Sequence, residues 1–313
     1  MPDRGRRVLV TGATGFVGAN LVGALVERGA HVGAVVRPGG SRDRIARHES
    51  DLELFAADVG VPGDLDTAVE RFRPEFAVNL AMTAGYPDTA AQRLEQLEVS
   101  VLGTARLVEA LAAVGGCERL VHVGSSLEYG PKAAPMREQD VLAPIIPRGA
   151  AKAAATLVCL VWARMLAVPA VVLRPFTVYG PFEASGLVPS ALRAALAGGE
   201  LPLTEPGVVR DFVYVGDVVD AILRAFDAPA LDGEILNVGS GRQTTIEELV
   251  EAVRRVTGGE LRVQPGAYPL LPHDTRQWAA DLGRTRRVLG WTPATDLDEG
   301  LRQTLAWLET HTP

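Results

Sequence analysis

The chain predicts an α/β fold, a doubly wound parallel sheet followed by a smaller α/β lobe toward its C-terminal end. Three observations carry that expectation. Short β-branched runs alternate with longer stretches of helical periodicity up to Pro181, and continuous apolar strands alternating with helices specify a parallel sheet covered on both faces. A glycine-rich stretch, "VTGATGFVG", joins the first such strand to the first helix. Beyond Pro181 the alternation becomes irregular, and proline and glycine cluster at 198–207 and 264–273, which marks loops around a second lobe.

Taken in order, "RVLVTG" reads as the first strand, and residues 15–28 then place Phe16, Val17, Leu21, Leu25 and Val26 at helical spacing. "HVGAVV", "LELFAAD" and "FAVNLA" follow as strands, and "RLVHVGSS" and "AVVLRPF" as two more, each after a long helix. The helix at 92–112 carries Leu94, Leu97, Val101, Leu107, Val108 and Leu111, and the one at 150–167 is apolar almost all round. A helix apolar on every side must be covered on every side. The sheet covers one face, so a homodimer is expected, with a tightly packed monomer as the alternative. Further helices are expected near 187–197, 215–227, 245–257 and 297–309, with short strands in "RDFVYV" and "EILNV".

The composition excludes several classes of function. Apolar residues make up 47% and charged ones 22%, an ordinary globular balance. A net charge of −7 offers nothing to a phosphate backbone, and "DRGRR" is too short for a basic stripe, so nucleic-acid binding is not expected. Cys117 and Cys159 lack metal-type spacing and read as buried free thiols, which fits a reducing cytoplasm. The N-terminus has no signal-peptide layout. No apolar run reaches the roughly 20 residues of a membrane helix; "AAATLVCLVWARMLAV" is broken by Arg164. The five histidines never stand at ligand spacing, so no metal site is expected. "SSLEYG" lacks the frame of a nucleophile elbow.

The glycine-rich turn points to a dinucleotide. Gly12, Gly15 and Gly18 follow a strand and open a helix; glycines there let the backbone approach a pyrophosphate, and the helix N-terminus supplies free N–H groups. A purely structural turn is the bland alternative. The second strand ends "VVRPGGSR", with Arg37 where an NAD site commonly has an acidic residue, and Arg42 close behind. A guanidinium suits a 2′-phosphate, so NADP(H) is favoured over NAD(H); solvated loop arginines are the alternative. Asp58, in "AADV", is placed to meet the adenine edge or to cap its own loop. On this basis residues 1–180 form a Rossmann-type NAD(P)-binding domain, rejoined by about 208–240, and residues 181–313 a substrate-binding lobe.

These residues, with "SSLEYG", "LRPFTVYGP", "RDFVYVGDVVDAI", "LNVGSG" and "AADLGRTRRVLGWTPATDLDEGL", make the chain resemble the extended short-chain dehydrogenase/reductases. It is most similar to the NAD-dependent epimerase/dehydratase branch, which modifies nucleotide-activated sugars. The resemblance implies hydride exchange with a nicotinamide, and a tyrosine and lysine at Y-x-x-x-K spacing beside a Ser or Thr. The tyrosine moves a proton to or from a sugar hydroxyl; the lysine holds the nicotinamide ribose. Carried over by position, Ser125 is the serine and Lys152 the lysine, but Arg148 in "PRGAAK" occupies the tyrosine position. Gly103 and Thr104 match the end of an N-V-x-G-T helix motif whose asparagine is Ser100 here. The resemblance also sets Thr14, Phe16, Val17, Val59, Leu80, Ala81 and Pro175 against the dinucleotide. Against the substrate it sets Thr83, Ser126, Tyr129, Thr177 and Arg210. Thr177 stands where an asparagine is common, and Leu271 where a second phosphate-binding arginine is expected. The paired carboxylates of sugar 4,6-dehydratases are replaced by Ser126 and Leu127.

Arginine stays protonated at working pH and is neither a base nor a useful acid. Arg148 and Lys152, one helical turn apart, repel unless an anion lies between them: a cofactor phosphate, a substrate carboxylate or diphosphate, or Glu128. Arg148 could equally swing to the surface. Tyr129, Tyr179 and Tyr86 are hydroxyls that could replace the tyrosine, or structural side chains each satisfying one hydrogen bond. Glu128 is ionisable, but alternation along a strand could turn it away from Ser125. The expected function is an NAD(P)-dependent sugar-nucleotide-modifying enzyme of the 4-keto-6-deoxyhexose reductase or epimerase type. The alternative is an enzyme of the same fold that catalyses a non-redox isomerisation, cyclisation or dehydration with cofactor bound but unconsumed. A non-catalytic nucleotide sensor is a third possibility.

Overall fold

The computed structural model describes residues 4–83, 85 and 87–311. Six strands come from the first part of the chain: β1 (Arg7–Thr11), β2 (His31–Val36), β3 (Leu52–Ala56), β4 (Phe76–Asn79), β5 (Arg119–Val123) and β6 (Ala170–Pro175). Between them run α1 (Phe16–Glu27), α2 (Asp64–Phe72), α3 (Ala90–Leu97), α4 (Gly103–Val114) and α5 (Pro147–Met165). After β7 (Thr177–Tyr179) come α6 (Leu187–Leu196), β8 (Glu200–Pro202), β9 (Val209–Arg210), β10 (Phe212–Tyr214) and α7 (Val215–Asp227). The chain closes with β11 (Ile235–Val238), β12 (Thr244–Thr245), α8 (Ile246–Thr257), β13 (Arg262–Gln264), α9 (Gly283–Leu289) and α10 (Leu297–His311).

Seven strands form one sheet in the order β11-β6-β5-β4-β1-β2-β3, every neighbouring pair parallel. This is the doubly wound, Rossmann-like sheet. Its order reverses between β1 and β4, and in such sheets ligands bind outside the carboxyl ends of the strands at that switch point. One apolar cluster joins the strands to α1 and α7 (Leu21, Leu25, Ile222, Phe226). A second lies on the other face with α2, α4 and α5 (Val69, Leu107, Leu111, Cys159). A third binds α6, α8 and α10 together through Leu192, Leu249 and Leu301. Three two-stranded ribbons, β7 with β10, β9 with β12 and β8 with β13, lie outside the main sheet.

The long helices match the apolar periodicity, with one difference. The stretch expected as a single helix at 92–112 is α3 and α4 joined by a π-helical segment, Glu98–Leu102. There the Thr104 hydroxyl donates to the Ser100 carbonyl (2.6 Å) and accepts from Asn79 Nδ2 (3.0 Å) at the end of β4. A side chain bonding back to a carbonyl four residues earlier distorts a helix, and Asn79 ties that distortion to the sheet. Both cysteines are free; Cys159 is buried and Cys117 only half-buried. Among the described residues no helix is long and apolar enough to cross a membrane.

Candidate active site

A continuous cleft of about 1530 Å3 opens above the switch point. Its floor begins at the turn from β1 to α1. Gly12 has φ +69, and a Cβ there would stand 2.7 Å from the Leu80 carbonyl carbon after β4. A Cβ at Gly18 would overlap the Gly12 carbonyl oxygen, whereas one at Gly15 meets only that oxygen, at 3.1 Å. Gly12 and Gly18 therefore let strand, helix and neighbouring loop close together, and Gly15 leaves the helix end open. Gly15 is also the N-cap of α1 and supplies no side-chain cap, so the first-turn N–H groups face the cleft with the positive end of the helix dipole. This cradle fits a pyrophosphate. Thr14, Phe16, Val17, Val59, Leu80, Ala81 and Pro175 line the same cleft.

At the end of β2, Arg37 lines the cleft and pairs with Glu95 at 3.7 Å. Arg42 is turned away, bound to Glu49 at 2.7 Å. Arg44, which the sequence did not single out, lines the cleft and donates to the Thr14 carbonyl at 3.2 Å. Asp58 does two things at once: it faces the cleft, and its Oδ1 accepts the Gly60 N–H at 2.8 Å.

The chain leaves β5 through Ser125 into a 3-10 turn, Ser126–Glu128. Ser125 caps the turn through its Oγ, which accepts from Leu127 N–H (3.2 Å), and Glu128 accepts from Ser125 N–H in return (2.8 Å). The two side chains then diverge. Ser125 lines the cleft, whereas Glu128 is fully buried and paired with Arg174 at 2.8 Å, with Thr156 Oγ1 at 3.1 Å. Glu128 thus forms its ion pair with Arg174, while its charge still acts on Lys152.

Lys152 lines the cleft from α5, and its Nζ donates to the Val123 carbonyl at 2.7 Å. Burial first, and then the Arg148 charge, push its ammonium down to about 8, against an opposing pull from Glu128. Arg148 does not swing to the surface. It is half-buried on the cleft wall, and its Nη2 reaches the carbonyls of Thr83 (3.5 Å) and Gly85 in the loop after β4.

The structure does not bring Tyr129 to the cleft. Its ring is fully buried under the Arg174 guanidinium, and its hydroxyl donates to Asn237 Oδ1 at 2.7 Å. Contact with a substrate, expected of Tyr129 above, has no route there. Tyr179 is likewise buried, its hydroxyl on the Leu297 carbonyl at 3.4 Å. Tyr86 lies outside the described residues. Tyr268 does line the cleft, from the rim where its N–H meets the Leu203 carbonyl (3.4 Å).

Thr83, Ser126 and Thr177 line the cleft, with Ser126 Oγ accepting from Trp278 Nε1 at 3.3 Å. Arg210 lines it too, held by Asp274 and by its own neighbour's carbonyl at Val209 (2.8 Å). Leu271 lies beside Asp274 on the same wall, its N–H donating to Asp274 Oδ2 at 2.7 Å. Glu183, which the sequence did not flag, faces the cleft behind Phe182, a non-glycine residue at φ 70. One of its carboxylate oxygens is buried with no hydrogen-bond partner, and burial pushes the group up to about 8. Beneath the site His122 is buried, with Nδ1 3.2 Å from Asn79 Nδ2, and held neutral by burial and by the nearby Lys152 and Arg174 charges.

A Rossmann-like sheet with a phosphate cradle at its switch point, opening onto a serine and a buried lysine, defines a nucleotide-dependent enzyme. Residues 8–239 match the model of the NAD dependent epimerase/dehydratase family, and the chain belongs to that family. Its relatives include UDP-glucose 4-epimerase of Mycolicibacterium smegmatis, 33% identical over 309 residues, 96% of this chain and 97% of that protein. Another is dTDP-6-deoxy-L-talose 4-dehydrogenase (NAD(P)(+)) of Kitasatospora kifunensis, 32% identical over 95% of this chain and 94% of that one. Among solved structures, Thermus thermophilus UDP-glucose 4-epimerase in complex with NAD superposes with a TM-score of 0.86 at 30% identity, covering 98% of this chain and 100% of that chain.

Proposed function

We propose that this chain is an NAD(P)-dependent enzyme of the 4-keto-6-deoxyhexose reductase or epimerase type, acting on a nucleotide-linked sugar by hydride transfer at an atypical centre. One observation carries the reading: a single cleft runs from the glycine cradle past Ser125 and Lys152 to Arg210. The glycine turn and the α1 N-terminus would hold the pyrophosphate, Lys152 the nicotinamide ribose, and Asp58 the adenine end. The nicotinamide, when bound, gives or takes the hydride. Ser125 polarises the reacting carbonyl, and Arg210 meets the diphosphate. Arg148 stands at the tyrosine position of the family, fixed to the loop after β4, and adds a permanent positive charge to the wall. The division of labour follows the two lobes, with residues 1–180 and about 208–240 holding the cofactor and 181–313 the substrate.

NADP(H) is preferred over NAD(H), supported by Arg37 and Arg44 on the cleft wall where a 2′-phosphate would lie. A homodimer is supported by an uncovered apolar face: Leu157, Val161 and Met165 stand exposed at successive turns of α5, with Leu94 and Leu97 exposed on α3. A cytoplasmic location fits the free thiols. The test is NADPH oxidation with a panel of nucleotide-linked 4-keto sugars, alongside dinucleotide titration. Turnover of at least one sugar is expected. Dinucleotide binding with no turnover of any would favour the non-redox reading, for which the support is the lack of a tyrosine hydroxyl beside Lys152 among the described residues.

A further inference from the structure

We infer that Lys152 is itself the proton-transfer group of this site, exchanging its own ammonium proton with a substrate oxygen, and that Arg148 one helical turn earlier frees it for that task. The inference rests on the hydride-transfer reading above and adds the identity of the acid.

The geometry singles out this lysine. Lys152 is 4% exposed, yet lines the cleft wall beside Ser125. An ammonium carries three N–H donors; among the described residues one acceptor is supplied, the Val123 carbonyl. The remaining donors belong to whatever fills the cleft. Charged and titratable groups act on the lysine from the elements around it: Arg148 on α5, Glu128 in the 3-10 turn and His122 on β5, with Arg174 on β6 behind Glu128. Glu128 spends its carboxylate on Arg174, Thr156 and the Ser125 N–H, and makes no ion pair with Lys152. Burial is the main cause of the fall from 10.5 to about 8; Glu128 opposes it, and the Arg148 charge adds a smaller push in the same direction as burial. A proton-transfer group works best near the operating pH. Among the described residues no tyrosine competes: Tyr129, Tyr179 and Tyr214 are buried, the first two hydrogen-bonded elsewhere, and Tyr268 stands on the Leu203 rim.

In the reducing direction Lys152 Nζ would give its proton to the carbonyl oxygen while the carbonyl carbon takes up a hydride with its electron pair, which a bound dihydronicotinamide would supply on being oxidised. The substrate would leave as the alcohol, and Lys152, left as a neutral amine, would regain its proton from water. In the oxidising direction the neutral amine takes the hydroxyl proton.

The chain has two lysines, Lys132 and Lys152, so the full-length protein labelled with 13C,15N-lysine gives two side-chain signals that a pH titration resolves. A Lys152 midpoint near 8 is expected, and Arg148→Gln should raise it by about half to one pH unit, the Coulomb effect of one charge at that range. In Lys152→Arg, whose side chain keeps its proton at working pH, turnover should fall by about 10²–10⁴. A Lys152 midpoint at the ordinary 10.5, or Lys152→Arg turning over at the wild-type rate, would overturn the inference. Glu183 is the rival group. Loss of the kinetic transition near pH 8 in Glu183→Gln, with the Lys152 midpoint unmoved, would assign the proton to Glu183 instead. Absence of dinucleotide binding in the wild-type protein would sink the parent reading, and the lysine titration, recorded without cofactor or substrate, would still decide whether this amine exchanges its proton near neutral pH.

Discussion

Glu128 and Arg174 are paired where neither side chain reaches solvent. Removing one member of such a pair leaves the other charge buried alone, at a cost of about 3–5 kcal/mol. Glu128→Gln should lower the unfolding free energy by that amount in urea titrations followed by tryptophan fluorescence, even though Glu128 does not face the cleft. Lys152 should give a pH-dependent effect of opposite kind. Its ammonium is pushed down from 10.5 to about 8 in the fold, so the native state penalises the charged form. That penalty is absent above about 10.5, grows as pH falls toward 8, and is complete below. The stability of Lys152→Met relative to wild type should therefore rise by about 3 kcal/mol between pH 10.5 and pH 7. Ser125, Lys152 and Arg148 were singled out through the family resemblance, and all three line the cleft. The place of Tyr129 was not, because its acceptor, Asn237, lies 108 residues away.

Among the elements, the turn from β1 into α1 was legible as a glycine-rich strand-to-helix turn, and the structure shows which packing contacts Gly12 and Gly18 serve. Gly18 serves packing within the turn, where any Cβ would strike the Gly12 carbonyl. Gly18→Ala should therefore displace the start of α1 and abolish dinucleotide binding in a fluorescence titration, with far-ultraviolet circular dichroism close to wild type. Arg37→Asp belongs to the same region. It should weaken NADP+ binding by roughly tenfold or more, about 1.4 kcal/mol, with a smaller effect on NAD+; equal losses for both would remove the support for NADP(H). The π-helical segment at Glu98–Leu102 had no signal in the apolar periodicity, which continues through it. There the Thr104 hydroxyl links the Ser100 carbonyl to the Asn79 amide, a tertiary arrangement.

The assembled protein leaves a stripe of large apolar side chains in water. Leu157 and Val161 on α5 are each 56% exposed, at the spacing of one face of a helix. Replacing both by Glu should turn a dimer into a monomer in sedimentation velocity, and a wild-type monomer would remove the dimer proposal. The cleft is also a property of the whole. Its walls are drawn from Gly12 to Trp278, and no local window of sequence contains them.

Periodicity, turn chemistry and residue type are local properties, and from them alone came the sheet and the glycine-rich turn, while the comparison of Arg148 with a tyrosine position came from the family resemblance. Packing, and nothing short of it, assigned Glu128 to Arg174, put Tyr129 in the core, held Arg148 to the loop after β4, and turned Glu183 toward the cleft. Each of those depends on which distant groups arrive within hydrogen-bonding reach and on how much water they displace, and burial of that kind is set only when the elements come together.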